Sequence, residues 1–521
     1  MISLQFKQLS FTHQTACEPL FKNISVHFSP GWTGIIGPNG SGKTTLLQMA
    51  LGTLEPQDGY VLRKGLAVYC PQRTDDPPDR WIEFLHSSDA VATRFRRVLH
   101  IDIAWQFRWN SLSHGERKRV QIAVALWQEP DIFLVDEPTN HLDEEAVSML
   151  QQAMEGFSGT GLLVSHDRTL LDSLCGECVF LEPPIIRCFV GGYSRSIQQL
   201  EGQDAGHALE REHLQKEHRR LHDIHQTRQE EARKADGKKS RRHLARHDSD
   251  GRAKIGLGIV TGKDGIAGQV ARQVQGRIRQ VQQKLDAMSV KKEYSMDFWL
   301  EGKASQRDAL LRLNGGIIPL GDEKTLCFPD LIVGPADRIA IVGPNGSGKS
   351  LFVKHLVGEL NLASEKLLYV PQEISLAETT HIMSELKKRP KKELGVVFSV
   401  ISCLGSRPER LLQNDQASPG EVRKCLLALG IARECHLIIM DEPTNHLDLP
   451  SIRLLENALA GCPCGLLLVS HDTRFLETLV DKYWVIRCGQ AENHLVAETR
   501  FRKEFPGDNS GNGCLDEKNL G

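Results

Sequence analysis

Four short motifs occur twice in this 521-residue chain, in the same order in each half. GPNGSGKTT returns as GPNGSGKSL, YCPQ as YVPQ, and both DEPTNHLD and VSHD return unchanged. The four pairs begin at Gly37 and Gly343, Tyr69 and Tyr369, Asp136 and Asp441, and Val164 and Val469. Because self-similarity at a nearly constant offset is typical of duplicated units, the chain is predicted to contain one domain twice.

Short apolar runs precede the motifs in both halves. They lie at residues 33–36, 132–135 and 162–164, and again at 339–342, 437–440 and 466–469. Continuous apolar runs that alternate with longer helical stretches are typical of buried parallel strands covered by helices on both faces. Each half is therefore predicted to be an α/β domain, and we place the two domains at residues 1–200 and 301–497.

The segment between the halves has a different composition. Residues 211–292 carry 21 Lys plus Arg against 10 Asp plus Glu, although the whole chain has a net charge of −2. Residues 208–235 are polar and free of glycine, and a seam from Val270 to Met288 repeats apolar side chains every three or four residues, which is typical of paired helices. Residues 201–300 are predicted to be a basic α-helical hairpin linker, and residues 498–521 a disordered tail.

The glycine-rich motif predicts phosphate binding. GxxxxGK followed by Thr or Ser lets backbone N–H groups and a helix N-terminus surround phosphate oxygens, with the Lys reaching the outer phosphates. Two matched copies, each after an apolar run, exclude a chance match. The predicted ATP-binding loop residues are Gly37, Pro38, Asn39, Gly40, Ser41, Gly42, Lys43, Thr44 and Thr45, together with Gly343, Pro344, Asn345, Gly346, Ser347, Gly348, Lys349 and Ser350.

The residues that end the later strands predict metal binding and hydrolysis. A carboxylate after a buried strand can complete a Mg²⁺ shell, a second carboxylate can polarise water, and a His can sense the terminal phosphate. The predicted Mg²⁺ residues are Thr44, Gln72, Asp136, Ser350, Gln372 and Asp441. The predicted catalytic residues are Glu137, His166, Glu442 and His471.

Composition narrows the class of protein. No apolar run is long enough to span a bilayer, and the first residues lack the pattern of a secretory signal, so a cytoplasmic protein is expected. The cysteines lack the spacing of a zinc site and are expected to be reduced thiols.

The order of these motifs resembles that of ATP-binding cassette domains. The resemblance implies one signature in each half, with residues Ser113, Gly115 and Glu116 in the first and Ser418, Gly420 and Glu421 in the second. The first signature reads SHGE and the second SPGE, whereas the family commonly has SGGQ. It implies a head-to-tail arrangement in which Lys43 faces Ser418 and Lys349 faces Ser113. Pro419 has no N–H to donate, so the two sites are expected to be unequal. Phe11 is the predicted adenine-stacking aromatic residue.

EPTNHLD in both halves, together with the charged linker, is similar to the ABC-F family over nearly the whole chain. The resemblance implies an ATPase that binds the ribosome and uses its linker to contact tRNA or rRNA. The predicted RNA-binding residues are Arg233, Lys234, Lys238, Lys239, Arg241, Arg242, Arg246, Arg252 and Lys254. An antibiotic-resistance protein that protects the ribosome and the energy subunit of a transporter remain the alternatives.

Overall fold

The computed structural model describes residues 4–13, 18–140, 142–238, 265–287, 305–321, 324–404, 419–431, 435–445, 447–489 and 492–498. Its contacts divide the chain into one unit of residues 1–196 with 296–521, and a second unit of residues 197–295. Both halves that carry the repeated motifs lie in the first unit. The second unit overlaps most of the predicted linker, residues 201–300, and the bounds of the linker stay a prediction.

The first half alternates strands and helices. In chain order its elements are β1 Leu4–Phe11, β2 Phe21–Phe28, β3 Gly31–Ile36, α1 Lys43–Leu51, β4 Asp58–Arg63, β5 Ala67–Cys70, α2 Trp81–His86, α3 Ala90–Val98, α4 His114–Trp127, β6 Ile132–Asp136, α5 Glu144–Met154, β7 Thr160–Val164, α6 Arg168–Leu174, β8 Cys175–Glu182 and β9 Ile185–Val190. The central sheet has the order β5-β6-β7-β3-β8-β9, parallel except for the last pair. An antiparallel sheet of order β2-β1-β4 accompanies it.

Two helices belong to the region between the halves, and α7 already begins in the first unit. They are α7 Tyr193–Lys238 and α8 Gly265–Ala287. Within the second unit Leu214 and Leu221 of α7 form an apolar cluster with Val281 of α8 and its partly buried neighbours. The predicted linker helices are thus present, whereas the connection at residues 239–264 lies outside the described residues. The basic hairpin stays a prediction, and so does the tail, because residues 499–521 also lie outside them.

The second half repeats the first. Its elements are β10 Leu311–Leu313, β11 Gly316–Gly321, β12 Lys324–Phe328, β13 Leu331–Val333, β14 Arg338–Val342, α9 Lys349–Glu359, β15 Leu367–Val370, α10 Leu376–Lys388, α11 Lys391–Cys403, α12 Pro419–Ile431, β16 Leu437–Asp441, α13 Leu449–Ala460, β17 Gly465–Val469, α14 Thr473–Leu479, β18 Lys482–Cys488 and β19 Glu492–Glu498. The order β15-β16-β17-β14-β18-β19 matches that of the first central sheet. The prediction of two α/β domains with buried parallel strands is confirmed.

Burial explains where the functional loops lie. Every residue of β6, β7, β16 and β17 is buried, so these strands lie in the centre of the two hydrophobic cores. The carboxyl ends of parallel strands meet at one edge of a sheet, where open α/β domains place their ligand sites. The loops that follow β3, β6 and β7 therefore converge, as do those that follow β14, β16 and β17.

Candidate functional site

The first phosphate loop ends in a glycine that no other residue type could replace without strain. Gly42 precedes α1 with φ 92°, and a Cβ there would lie 2.7 Å from the side chain of Leu20. The first N–H groups of a helix lack intrahelical acceptors, so a phosphate can accept from them. The Lys43 ammonium donates to the carbonyl of Gly37 at 2.9 Å and to that of Pro38 at 3.4 Å. This lysine thus closes the loop whose anion it is predicted to contact.

A cavity of about 350 Å³ lies above this loop. Its lining combines the loop with residues at the ends of four other strands. The lining residues are His13, Leu20, Asn39, Gly40, Gly42, Lys43, Thr44, Thr45, Gln72, Asp136, Glu137, Asn140 and His166. The structure therefore brings together the predicted phosphate, Mg²⁺ and catalytic residues of the first half. Lys43 and His166, which are far apart in the sequence, meet there because parallel strands end at a common edge.

Asp136 and Glu137 occupy different environments although they are adjacent. Thr44 Oγ1 donates to Asp136 Oδ2 at 2.9 Å, and Tyr69 donates to the same oxygen at 3.2 Å. Burial raises the pKa of Asp136. Glu137 has φ 46° and donates its backbone N–H to Val164 at 2.8 Å. A left-handed backbone at a non-glycine residue is uncommon, and such strain concentrates at functional sites.

The side chain of Glu137 is held by the predicted switch histidine. His166 Nε2 lies 2.9 Å from Glu137 Oε1, and the backbone N–H of His166 donates to Glu137 Oε2 at 3.2 Å. Burial acts to raise the pKa of Glu137, but the nearby His166 and Lys43 outweigh it and leave the pKa below its ordinary value. The first site therefore favours a carboxylate in the position of the predicted general base.

The second phosphate loop has the same construction. Gly348 precedes α9 with φ 99°, and a Cβ there would lie 2.5 Å from the side chain of Leu320. Lys349 donates to the carbonyls of Gly343 at 2.8 Å and Pro344 at 2.9 Å. The near-identical geometry of the two loops follows from their near-identical sequences.

A larger cavity of about 520 Å³ lies above the second loop and is lined by both halves. The second half contributes Leu320, Asn345, Gly346, Gly348, Lys349, Ser350, Leu351, Gln372, Asp441, Glu442, Thr444, Asn445, Ile452, His471, Asp472 and Thr473. The first half contributes Thr139, Asn140, Leu142, Glu144, Val147, His166, Asp167 and Thr169. The predicted residues of the second half are again gathered, and here a segment of the other half faces them.

The predicted catalytic pair of the second half, Glu442 and His471, is farther apart than the pair in the first half. His471 Nε2 lies 3.5 Å from Glu442 Oε1 and hydrogen-bonds Asn345 Oδ1 at 3.1 Å. Burial raises the pKa of Glu442, and burial together with the charge of Lys349 lowers that of His471. Ser350 Oγ donates to Gln372 Oε1 at 3.1 Å, so two predicted Mg²⁺ residues touch each other. The two sites differ in geometry and in electrostatics.

Direct contacts join the two halves near these sites. The backbone N–H of Asn39 donates to Asp448 Oδ2 at 2.7 Å. Arg168 donates to both carboxylate oxygens of Glu456, at 2.6 and 3.0 Å, and to Asp472 at 3.0 Å. Bidentate charge-assisted bonds of this kind are among the strongest polar contacts in proteins. Both halves therefore share one polar interface beside the phosphate loops.

Several buried polar atoms at the sites fit a nucleotide and its metal. Ser41 Oγ, Ser347 Oγ and Asp441 Oδ1 are buried and hydrogen-bond no other atom of the described residues. A buried polar atom is rarely left without a partner in a native protein. Serine hydroxyls can donate to phosphate, and a carboxylate oxygen can accept from water bound to Mg²⁺, which prefers oxygen ligands. The residues present therefore fit MgATP.

Not every predicted site residue reaches a cavity. Phe11 is 8% exposed and packs in the core against Phe21, and its predicted role in adenine stacking stays a prediction. The ring of His13, 5.0 Å from that of Phe11, lines the first cavity instead. Strand alternation is the physical reason, because Phe11 belongs to β1 and points to the core, whereas His13 follows the strand.

The signature residues are only partly described. Ser113 and Glu116 form a capping box at the start of α4, in which Ser113 Oγ accepts from the N–H of Glu116 and Glu116 Oε2 accepts from that of Ser113. Ser113 is not among the residues that line the two cavities. Ser418 lies outside the described residues, whereas Gly420 and Glu421 lie in α12. The predicted pairing across the halves stays a prediction.

The predicted RNA contacts also stay predictions. Arg233, Lys234 and Lys238 belong to α7, and the remaining six basic residues fall at positions 239–254, outside the described residues.

Two buried cations near the sites, Lys118 and Arg423, were not predicted from the sequence. Each lies five residues after its signature serine, so the 305-residue offset of the repeat could have identified the pair.

Comparisons with known proteins agree with this geometry. Residues 21–140 and 329–410 match the family model described as ABC transporter. The ribosome protection protein VmlR of Bacillus subtilis is 28% identical over 511 residues, which cover 95% of this chain and 89% of that protein. The tylosin resistance ATP-binding protein TlrC of Streptomyces fradiae is 28% identical over 90% of this chain and 95% of its own. The matches extend across both halves.

Solved structures show the same fold. The archaeal ribosome recycling factor aABCE1, solved in complex with the stalk protein aP1, gives a TM-score of 0.60 at 18% identity and covers 94% of this chain and 89% of its own. The RNase-L inhibitor gives a TM-score of 0.58 at 18% identity and covers 94% and 90%. Within the part of the chain that the structure describes, no helix is long and apolar enough to cross a membrane.

Proposed function

Because this chain is a twin-cassette ATPase of the ATP-binding cassette family, we propose that it is an ABC-F type translation factor that binds the ribosome and hydrolyses ATP to leave it. The observation that carries the proposal is the hydrogen bond from Asn39, in the phosphate loop of one cassette, to Asp448 of the other. Because this bond joins the loop to the other cassette, binding of a ligand in the loop would depend on the relative position of the two cassettes. The ribosome is proposed as the partner because the relative VmlR is named a ribosome protection protein.

MgATP is the proposed ligand of both sites. Lys43 and Lys349 would contact the outer phosphates, and Thr44 and Ser350 would coordinate Mg²⁺, which neutralises phosphate charge when it is bound. Asp136, Asp441, Gln72 and Gln372 would hold water of the metal shell. This role agrees with the hydrogen bond between Thr44 and Asp136 and with that between Ser350 and Gln372.

Glu137 and Glu442 are the proposed general bases, and His166 and His471 the sensors of the terminal phosphate. Glu137 lies beside the phosphate loop with its carboxylate against His166, in the position from which a base can orient water. The signature residues Ser113 and Ser418 would complete the opposite cassette's site. The Ser113 oxygen accepts in the capping box, so its hydroxyl hydrogen stays available to a phosphate.

Closure of the cassettes on ATP would reposition the linker, and hydrolysis would release it. The excess of Lys and Arg in residues 211–292 supports contact with tRNA or rRNA phosphates, because such contacts depend on charge rather than on base sequence. We propose that the basic run from Arg233 to Lys254 makes these contacts.

The deciding experiment is ribosome co-sedimentation of Glu137→Gln/Glu442→Gln in the presence of MgATP. We expect this variant to remain on ribosomes, because it binds ATP without hydrolysing it. Lys43→Met/Lys349→Met is the matched control, and it should bind neither ATP nor, in an ATP-dependent way, the ribosome. Equal release of the wild type and the Gln variant would refute the proposal.

Protection of the ribosome against an antibiotic is the second candidate function, favoured by the relatives VmlR, named a ribosome protection protein, and TlrC, named a tylosin resistance protein. Expression of the chain in a macrolide-sensitive bacterium should then raise the inhibitory concentration of tylosin or a related drug. The energy subunit of a transporter is the remaining alternative, and it would co-fractionate with membranes instead of ribosomes.

A further inference from the structure

The segment that carries Gln72 is fastened to the helix that carries the signature. Residues 71–75, here called the Gln loop, leave β5 at the first cavity. Lys118 of α4 donates to the carbonyl of Pro71 at 2.6 Å and to that of Gln72 at 3.2 Å. Gln121, one turn further along α4, donates to the carbonyl of Arg73 at 2.9 Å.

The fastening continues to the end of the Gln loop. Thr74 Oγ1 lies 3.2 Å from Nδ1 of His114, one of the two residues that depart from the usual signature. Trp109, just before α4, donates its indole N–H to the carbonyl of Asp75 at 3.0 Å. All five residues of the loop therefore bond the signature-bearing segment. A loop held at each residue moves with the segment that holds it.

The second half uses one arginine at the equivalent place. Arg423 Nη2 donates to the carbonyls of Pro371, at 3.2 Å, and Gln372. Its Nη1 donates to the carbonyls of Glu442 at 3.0 Å and Asn445 at 3.1 Å. The guanidinium thus ties the second Gln loop to the backbone of the predicted general base as well.

Lys118 and Arg423 are buried cations, and packing alone does not require a charged side chain at either position. Lys118 is 1% exposed and Arg423 is 4% exposed, and burying a cation is costly unless its donors are satisfied. All the hydrogen bonds that they make among the described residues go to backbone carbonyls. Charge-assisted bonds are shorter and stronger than neutral ones. A cation in the same place in both halves, bonded to the same carbonyl pair, therefore indicates a positional task.

We propose that Lys118 and Arg423 are positioning residues, which hold the side chains of Gln72 and Gln372 at the two cavities by fixing their backbone carbonyls to the signature-bearing helices. The inference rests on the proposed roles of these glutamines at the nucleotide sites. Each cation would transmit the position of a signature, which serves one ATP, to the glutamine that serves the other. The additional bond from Arg423 to the carbonyl of Glu442 would extend this coupling to the proposed general base in the second cassette.

The test compares Lys118→Met with Arg119→Met in the full-length protein. Arg119 is the neighbouring cation on α4 and also donates to a backbone carbonyl, that of Leu99 at 3.0 Å, away from the Gln loop. We expect Lys118→Met to lower the kcat of ATP hydrolysis about tenfold, because small misplacements of catalytic groups are costly, and to change the KM less than about threefold. Arg119→Met should keep the kcat within about twofold.

Amide hydrogen exchange supplies a readout that general destabilisation does not mimic. Amide exchange in residues 72–75 should speed up in Lys118→Met while the buried strand β6 stays protected, and Lys118→Arg should restore both protection and kcat. Should Lys118→Met not fold, Lys118→Gln removes the charge and keeps a donor. Arg423→Lys should keep the bonds to the carbonyls of Pro371 and Gln372 but lower the kcat. One ammonium cannot also bond the carbonyls of Glu442 and Asn445, as the guanidinium does.

An unchanged kcat in Lys118→Met, or equal losses in Lys118→Met and Arg119→Met, would overturn the inference. Failure of the proposed function would give a different result. The wild type would then lack ATP-dependent ribosome binding, or its ATPase activity would be unchanged by Lys43→Met/Lys349→Met.

Discussion

Asp448 of the second cassette accepts a hydrogen bond at 2.7 Å from the backbone N–H of Asn39, in the middle of the first phosphate loop. The two residues are 409 positions apart. Asp448 also caps α13 through the N–H of Ser451, and these bonds outweigh its burial and lower its pKa. One carboxylate therefore connects the start of a helix in one cassette with the ligand loop of the other.

Loss of that carboxylate should weaken communication between the cassettes. In Asp448→Ala we expect the ATPase rate and ATP-dependent closure to fall, with a loss of about 1 kcal/mol of stability from the missing cap. Closure can be followed by small-angle scattering with and without ATP. Asp89→Ala, which removes the cap of α3, should lose similar stability but close normally. Normal closure in Asp448→Ala would contradict this role.

The buried ion cluster should stabilise the interface between the cassettes. The Arg168 and Glu456 side chains are each 10% exposed, and Arg168→Met leaves Glu456 and Asp472 without their cation. We expect a loss of about 3 kcal/mol or more in urea unfolding. The exposed pair Arg63 and Glu55, 3.7 Å apart, is the control, and Glu55→Gln should change stability by less than about 0.5 kcal/mol. Similar effects of the two substitutions would contradict the assignment.

Phe11 and His13 should separate stability from nucleotide binding. Phe11→Ala should cost about 3 kcal/mol of unfolding free energy, because it empties a core position. His13→Ala should leave stability nearly unchanged and weaken ATP binding at the first site, since the ring lines that cavity. Titration with a fluorescent ATP analogue and urea unfolding measure the two effects. If only Phe11→Ala weakened binding, the assignment of His13 would be wrong.

The ion pair between Asp337 and Lys482 predicts how the stability of the protein changes at acidic pH. Burial acts to raise the pKa of Asp337, but Lys482, which donates to it at 2.6 Å, and the N–H of Gly334 outweigh it and lower the pKa. A folded pKa below the unfolded value means that the stabilisation is present above the ordinary value near 3.8 and is lost as pH falls through the folded pKa. Because the lysine is 43% exposed, the contribution is at most about 0.5 kcal/mol.

Unfolding of Lys482→Met at several pH values checks this sign. The difference in stability between the wild type and the variant should be largest near neutral pH and shrink below about pH 4. A difference that grew as pH fell would contradict it.

Local pattern was enough to predict most of the first unit. The phosphate loops, the buried strands and the residues that end them follow from apolar runs and from glycines at fixed spacing, and the structure gathers Lys43, Asp136, Glu137 and His166 around one cavity. These features depend on neighbours a few residues away, and strand ends in a parallel sheet meet without further information. Which of Phe11 and His13 faces the cavity could not be predicted in this way, because the direction of a side chain near the end of a strand depends on the register of that strand.

Contacts between distant segments were decided by tertiary packing alone. No periodicity marks Asp448 as the partner of Asn39, or Arg168 as the partner of Glu456, because each contact joins residues from separate cassettes. The same holds for Lys118 and Arg423, whose charges are visible in the sequence but whose acceptors are backbone carbonyls. A carbonyl belongs to every residue alike, so only the folded arrangement selects which one a buried cation meets.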